Sequence, residues 1–346
     1  MKVWYDAGTG KQVRYGCAIA EKVRTLGHEV ILTTRKHPDT IPLAKLLDEK
    51  FIEIGKYEPS SLMARMKQSV YRQSKFLKLF KKDQPDVAIS HQSVDLCRVA
   101  FGLGIPIIAT HDSPHARAVN KLTMNLIDWL VVSEAIRIDL LSCYTIKHVF
   151  PFKGVDEVAW IQDKHYQIEY EYPRPLIIVR EFETKAVYAQ GKRNLTETIA
   201  KKLNKVGHVL YLPRYDRRPR EKLIVPQDFV DSTSLVNQAD LVIGVGGTMG
   251  REAALQGIPT IVLPTFRNQP VNDYLAKKGF PIFKIELNQL INQSKRLINK
   301  RWKVKALLEK LENPVNTIQE ILQEKIHPVN RKKMETLRNG SKEHRN

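Results

Sequence analysis

The sequence predicts an α/β protein with two doubly wound parallel-sheet domains facing a cleft, followed by C-terminal helices. Two observations predict it. Short β-rich runs alternate with helix-length segments along nearly the whole chain, which is the rhythm of βαβ units. That rhythm belongs to a parallel sheet covered on both faces. At 346 residues the chain is long for one compact domain and comfortable for two.

The elements follow in order. VWYDA opens the series, a helix runs from about Gln12 to Leu26, and HEVILTT is the second strand. FIEI, DVAISH, IPIIATH and WLVVS continue it, each followed by a polar turn and a helix-length segment. The rhythm breaks over PFKGVDEVAWIQDKHYQIEYEYPRP, which is rich in charge, aromatics and proline. It restarts with LIIVR, GHVLYLPR, ADLVIGV and PTIVLP. The expected organisation is a first domain over 1–160 and a second over 172–285. Helices over 286–326, in segments Leu287–Glu312 and Val315–Glu324, pack back, and 327–346 form a polar basic tail.

Within the first domain, LMARMKQSVYRQSKFLKLFKK over 62–82 places Leu62, Met66, Val70, Leu77 and Phe80 roughly on one face. Arg65, Lys67, Arg72, Lys75, Lys78, Lys81 and Lys82 crowd the remainder. The segment reads as an amphipathic domain helix with a solvated basic face, or as a landing surface for anionic lipid or a polyanionic acceptor.

The bulk chemistry is basic. A net charge of +19 favours an anionic partner, whether nucleotide, phospholipid headgroup or nucleic acid. No run of 18 or more apolar residues occurs, and MKVWYDAGTG has no signal core, so a cytoplasmic location is expected, with at most peripheral contact at the inner face of the membrane. Cys17, Cys97 and Cys143 are far apart and odd in number, making neither a disulfide framework nor a zinc motif.

In parallel α/β sheets, ligands bind at the carboxyl ends of strands. The first strand delivers Asp6, Gly8, Thr9, Gly10 and Lys11 there, and VAIS and IIAT deliver His91, His111 and Asp112. LIIV delivers Arg180, VLYLP delivers Arg214, and IVLP delivers Thr265 and Arg267. DAGTGK lacks the spacing of a phosphate-binding P-loop, because Tyr5 stands at its first glycine and Gln12 at its magnesium-binding hydroxyl. Gly244, Gly246 and Gly250 are a loosened dinucleotide fingerprint in the wrong context, since the next strand ends in Pro264 and not in an acid. Without HExxH, clustered Cys/His or GxSxG, no metal and no serine nucleophile is expected.

LVIGVGGTMGREAALQGIPTIVLP carries the most chemistry. Gly246 and Gly247 at a strand end let the backbone approach a ligand. A helix beginning near Thr248 points unpaired N–H groups and its positive dipole end into the same space. Glu252 lies one turn further on, where a carboxylate could accept two ribose hydroxyls. The alternative is a glycine-tightened strand–helix turn with Glu252 in a capping role. On the first view, Glu252→Ala should weaken nucleotide binding with little loss of fold.

GVGGTMGREAALQGIPTIVLP resembles the nucleotide-binding segment of the GT-B glycosyltransferases and the related UDP-N-acetylglucosamine 2-epimerases. More closely, the chain resembles a prokaryotic domain-of-unknown-function family sharing this Rossmann-like, two-domain fold. The opening strand with its Asp6 loop, HEVILTTR, PDVAISHQS, GLGIPIIATHDSPHA and YLPRYDRRP carry that resemblance over roughly 1–285. It implies that Gly246, Gly247, Thr248 and Met249 line a diphosphate, with Glu252 on the ribose. Arg180 would contact a phosphate, and Arg214 would stand near base or phosphate. Relatives often have a histidine in the first-domain loop, where this chain reads GTGKQV with Lys11 and Gln12.

The expected function is therefore a metal-independent glycosyltransferase using a UDP-sugar or similar donor. The helix start, Arg180 and Lys11 would neutralise the departing diphosphate. Asp112, His111 and His91 are the candidates for deprotonating the acceptor hydroxyl. No cofactor is expected beyond the nucleotide-sugar substrate, and the acceptor is a glycan, a lipid-linked group or a small molecule. A 2-epimerase needs several acids in the first domain, where only Asp112, Asp95 and Glu134 come forward. A non-catalytic binder of anionic glycan or nucleic acid is the third reading, although no RNA-binding signature is visible.

Overall fold

The computed structural model describes residues 1–162, 168–182, 195–214, 216–264 and 269–326. The tail over 327–346 and the expected positions Thr265 and Arg267 lie outside these residues. The chain divides into two units, Met1–Ala159 with Glu312–Asn346, and Trp160–Leu311. Each carries a parallel sheet covered by helices, so the α/β class with two Rossmann-like sheets holds. No described helix is long and apolar enough to cross a membrane.

In the first unit, the described strands are β1 (Lys2–Ala7), β2 (Glu29–Lys36), β3 (Ile52–Lys56), β4 (Val87–His91), β5 (Ile107–His111), β6 (Trp129–Ser133) and β7 (His148–Phe152). They pair in parallel in the order β3-β2-β1-β4-β5-β6-β7. β4 and β5 are buried along their whole length, apolar at first and ending in the buried polar pairs Ser90–His91 and Thr110–His111. β1 sits between β2 and β4, so the crossovers run outward in both directions from it. A crevice therefore opens at the carboxyl ends of β1 and β4. β7 was not expected as a strand. It is an edge strand containing Pro151, and an edge is where a sheet tolerates a residue without an N–H.

The helix Leu62–Leu79 faces the core differently from the expected pattern. Phe80, just beyond its end, and Phe76 are buried edge-on against Trp4, at ring separations of 4.7 and 4.8 Å. Leu62, Met66, Val70 and Leu77 are instead 76%, 59%, 53% and 49% exposed. Arg72 sets this rotation. Its buried guanidinium donates to both Asp6 oxygens at 2.6 and 2.7 Å, to Asp95 at 2.8 Å and to the Ile54 carbonyl at 2.6 Å. A buried charge is stable only when so satisfied, so this polar anchor overrides the apolar periodicity.

In the second unit, β8 (Leu176–Arg180), β9 (His208–Leu212), β10 (Leu241–Gly244), β11 (Thr260–Val262) and β12 (Ile282–Lys284) pair in parallel as β12-β11-β10-β8-β9. Alternate residues of β8 feed two cores: Ile177 and Val179 pack with Ile199 and Leu203, while Leu176 and Ile178 pack with Leu235 and Ala253. The helices Leu195–Leu203 and Thr248–Leu255 thus cover opposite faces, and the order reverses between β8 and β10. The expected helical segment Leu287–Glu312 is broken. A helix covers Leu290–Leu297, Ile298 is extended, and Asn299 turns with φ 65°. The Trp302 N–H then donates to the Gly257 carbonyl at 2.9 Å.

The chain next rejoins the first unit. The Glu312 N–H donates to the Lys153 carbonyl at 3.0 Å, and the Lys153 N–H to the Glu312 carboxylate at 2.7 Å. Gly154 permits this passage, since a Cβ there would stand 2.3 Å from the Glu312 carbonyl oxygen. The helix Pro314–Ile321 follows, opened by the Asn313 side chain accepting from the Val315 N–H at 3.0 Å.

Candidate functional site

The crevice between β1 and β4 holds a buried polar cluster. After β1, Thr9 caps the helix Gly10–Thr25 by accepting from the Gln12 N–H. Gln12 ties the two strand ends together, accepting from the Gly8 N–H at 2.7 Å and donating to the His91 carbonyl at 2.5 Å. Gly8 is held from the other side by Arg35, which donates to its carbonyl at 3.0 Å. Lys11, one residue into the helix, is thereby placed among carboxylates. Its ammonium donates to Asp112 at 2.5 Å and to Asp156 at 2.8 Å, with Glu157 at 3.9 Å.

His91 joins this group. Its Nε2 lies 3.8 Å from Asp112 and 4.0 Å from Asp156, and its Nδ1 is 2.6 Å from the Thr110 hydroxyl. The second Asp112 oxygen also accepts from the Ser113 hydroxyl at 2.8 Å. A histidine oriented by a hydroxyl and facing a carboxylate is a proton-transfer arrangement. His91, Asp112 and Asp156 offer atoms within 4.8 Å of one another and could in principle hold a metal ion. The Lys11 ammonium is itself a cation in contact with two of them.

His111 makes no ion pair with these carboxylates among the described residues. The Gln92 amide donates to its Nδ1 at 2.9 Å and to Asn120 at 2.9 Å, so its proton sits on Nε2. Burial, with smaller contributions from neighbouring charges, lowers its pKa to about 4. At neutral pH it is an uncharged donor.

The crevice between β8 and β10 holds the glycine loop. Gly246 and Gly247 have φ of 83° and 128°. A Cβ on Gly246 would collide with Gln269 at 1.7 Å, whereas one on Gly247 would meet nothing within 4 Å. The helix Thr248–Leu255 begins at Gly247 with no side-chain hydrogen bond capping it among the described residues. Arg180, ending β8, donates to the Pro213 carbonyl at 3.2 Å. Arg214 lies on Glu181, with its N–H on the carboxylate at 2.6 Å and its Nε on the carbonyl at 2.7 Å.

Two residues of the expected ligand set have their side chains engaged within the unit itself. Met249 packs partly buried against the sheet. Glu252 is 1% exposed, and its oxygens accept from the Trp160 indole and the Ser232 hydroxyl, both at 2.9 Å. It is a structural joint in this state, which corrects the expectation that it can be removed with little loss of fold.

Sequence reasoning missed Asp156, Glu157, Gln269 and Asn272. The first two lie where the strand rhythm lapses, and no spacing signals them. Gln269 and Asn272 pack on Gly246, and Asn272 is buried with its Oδ1 lacking a hydrogen-bond partner among the described residues.

A sequence profile described as protein of unknown function (DUF354) matches residues 1–327. An uncharacterized protein of Methanocaldococcus jannaschii is 32% identical over 325 residues, covering 88% of this chain and 94% of that one. Among solved structures, MnaA of S. aureus in complex with UDP is similar at a TM-score of 0.65 and 15% identity, covering 93% of this chain and 96% of that chain. A Listeria monocytogenes protein assigned as a UDP-N-acetylglucosamine 2-epimerase gives 0.63 and 13%, covering 93% and 95%. A glycosyltransferase of Streptomyces sp. SF2575 in complex with thymidine diphosphate gives 0.57 and 16%, covering 93% and 99%. At these identities the likeness establishes the fold.

Proposed function

Because this chain belongs to the DUF354 family of proteins of unknown function, whose fold it shares with glycosyltransferases and 2-epimerases, we propose that it is a nucleotide-sugar enzyme acting as a glycosyltransferase. The observation that carries the reading is the cluster of Lys11, His91 and Asp112 at the crevice of the first sheet. His91 or Asp112 takes the proton of an acceptor hydroxyl, and Lys11 holds the carboxylates in place. In the second unit, the uncapped first turn at Thr248 and the neighbouring Arg180 receive the diphosphate of the donor. Positive charge supplied by the protein lets the leaving diphosphate depart without a metal. UDP and thymidine diphosphate bound to proteins of the same fold support a nucleotide diphosphate as the ligand.

A 2-epimerase is the second reading, and a specific observation favours it. Asp156 and Glu157 add to the acids available beside Lys11, so the scarcity that weighed against proton abstraction and return disappears.

Thermal shift against UDP-, GDP-, ADP- and CMP-sugars identifies the donor, because a ligand of the native state raises the melting temperature. Turnover of that donor in deuterated water then separates the readings. A transferase releases nucleotide without labelling the sugar, while an epimerase exchanges the hydrogen on the second carbon. Asp112→Asn should abolish either turnover and keep the thermal shift. No shift with any nucleotide-sugar would sink both.

A further inference from the structure

We propose that the helix Leu62–Leu79 docks this protein on an anionic lipid bilayer, its exposed apolar stripe entering the acyl boundary and its lysines meeting the headgroups. The proposal uses no residue of the two candidate sites and stands apart from the nucleotide-sugar reading.

The buried side of this helix is taken by Arg72 and Phe76. What remains outside is unusually apolar for a solvated surface: Leu62, Met63, Met66, Val70 and Leu77 are each between 49% and 76% exposed. At 3.6 residues per turn, Met63, Met66, Val70 and Leu77 fall within an arc of about 60°. Lys67 and Lys78 border the same stripe, and Arg65, Lys75, Lys81 and Lys82 add further positive charge.

The positive charge is not cancelled locally. Residues 62–82 contain no Asp or Glu. Nearby acids are taken by cations outside the exposed stripe: Asp95 by the buried Arg72 at 2.8 Å, Glu58 by Lys56 at 3.2 Å, and Asp83 by Lys2. Charge complementarity therefore selects an anionic occupant and disfavours a second copy of this same basic face. Between anionic occupants, the methionine and aliphatic side chains decide. A phosphate backbone offers them nothing to bury against, whereas a bilayer interface accommodates an apolar stripe bordered by lysines.

The full-length protein is floated with vesicles of phosphatidylcholine alone and of phosphatidylcholine with about one third phosphatidylglycerol. Binding to the anionic vesicles at least about tenfold above the neutral ones is expected, weakening as salt rises. Met66→Ser/Val70→Ser/Leu77→Ser and Lys67→Glu/Lys78→Glu should each lower that binding about tenfold or more, with melting curves unchanged because all five residues are exposed. Absent or charge-indifferent vesicle binding overturns the proposal. So does full binding by the serine variant with loss only in the glutamate variant, the pattern of a soluble polyanion such as RNA.

Discussion

Glu252 lies on a helix whose start carries no side-chain cap, and both its oxygens accept hydrogen bonds, from Trp160 and Ser232. Glu252→Ala removes a shared acceptor from the buried Trp160 indole and the half-buried Ser232 hydroxyl, so urea unfolding should show a loss of about 2–4 kcal/mol. An unchanged midpoint would refute the structural role. His111 gives a pH dependence. Its pKa is about 4 when folded and 6.5 in an exposed chain, so the unfolded state binds the extra proton between those values. Its contribution is present above pH 6.5 and is lost as pH falls towards 4, by about 3 kcal/mol. His111→Gln should flatten that acid limb by about one proton in stability-versus-pH measurements. His91 and Asp112 were legible because they end buried apolar strands. Asp156 and Glu157 were not, because a cluster drawn from positions 11, 91, 112 and 156 has no sequence spacing to read.

At the scale of elements, the strand-to-helix turn after β10 depends on backbone geometry that side chains resist. Gly247 has φ 128° and ψ −177°, a region open essentially to glycine, although the space around it is empty. Gly247→Ala should cost about 1–3 kcal/mol and abolish the nucleotide-induced thermal shift. A variant that keeps the full shift would show that this turn does not hold the ligand. This turn was legible because glycines interrupt two apolar strands. β7 and β12 were not, since short edge strands carry little continuous apolar signal and one contains proline. The helix Leu62–Leu79 was legible as a helix and misread in rotation, because Arg72 looked like a surface residue until Asp6 and Asp95 were seen around it.

For the whole molecule, the α/β class with two parallel sheets followed directly from the strand rhythm, and the seven-strand and five-strand orders required the pairings themselves. The crevices could be located only once those orders were known, because a switch point is a property of topology and not of any one strand. The path of the chain after Leu311 has a temporal consequence. The first unit is made of two pieces, and the helix Pro314–Ile321 supplies it with the buried Val315, Ile318 and Ile321. The ribosome delivers those residues after every residue of the second unit has emerged. Synthesis proceeds at about 5–20 residues per second, so the segment 1–159 waits about 8–30 seconds with an apolar face uncovered while the second unit is made. The part translated first is the part completed last, and that interval is when a nascent chain of this design most needs a chaperone.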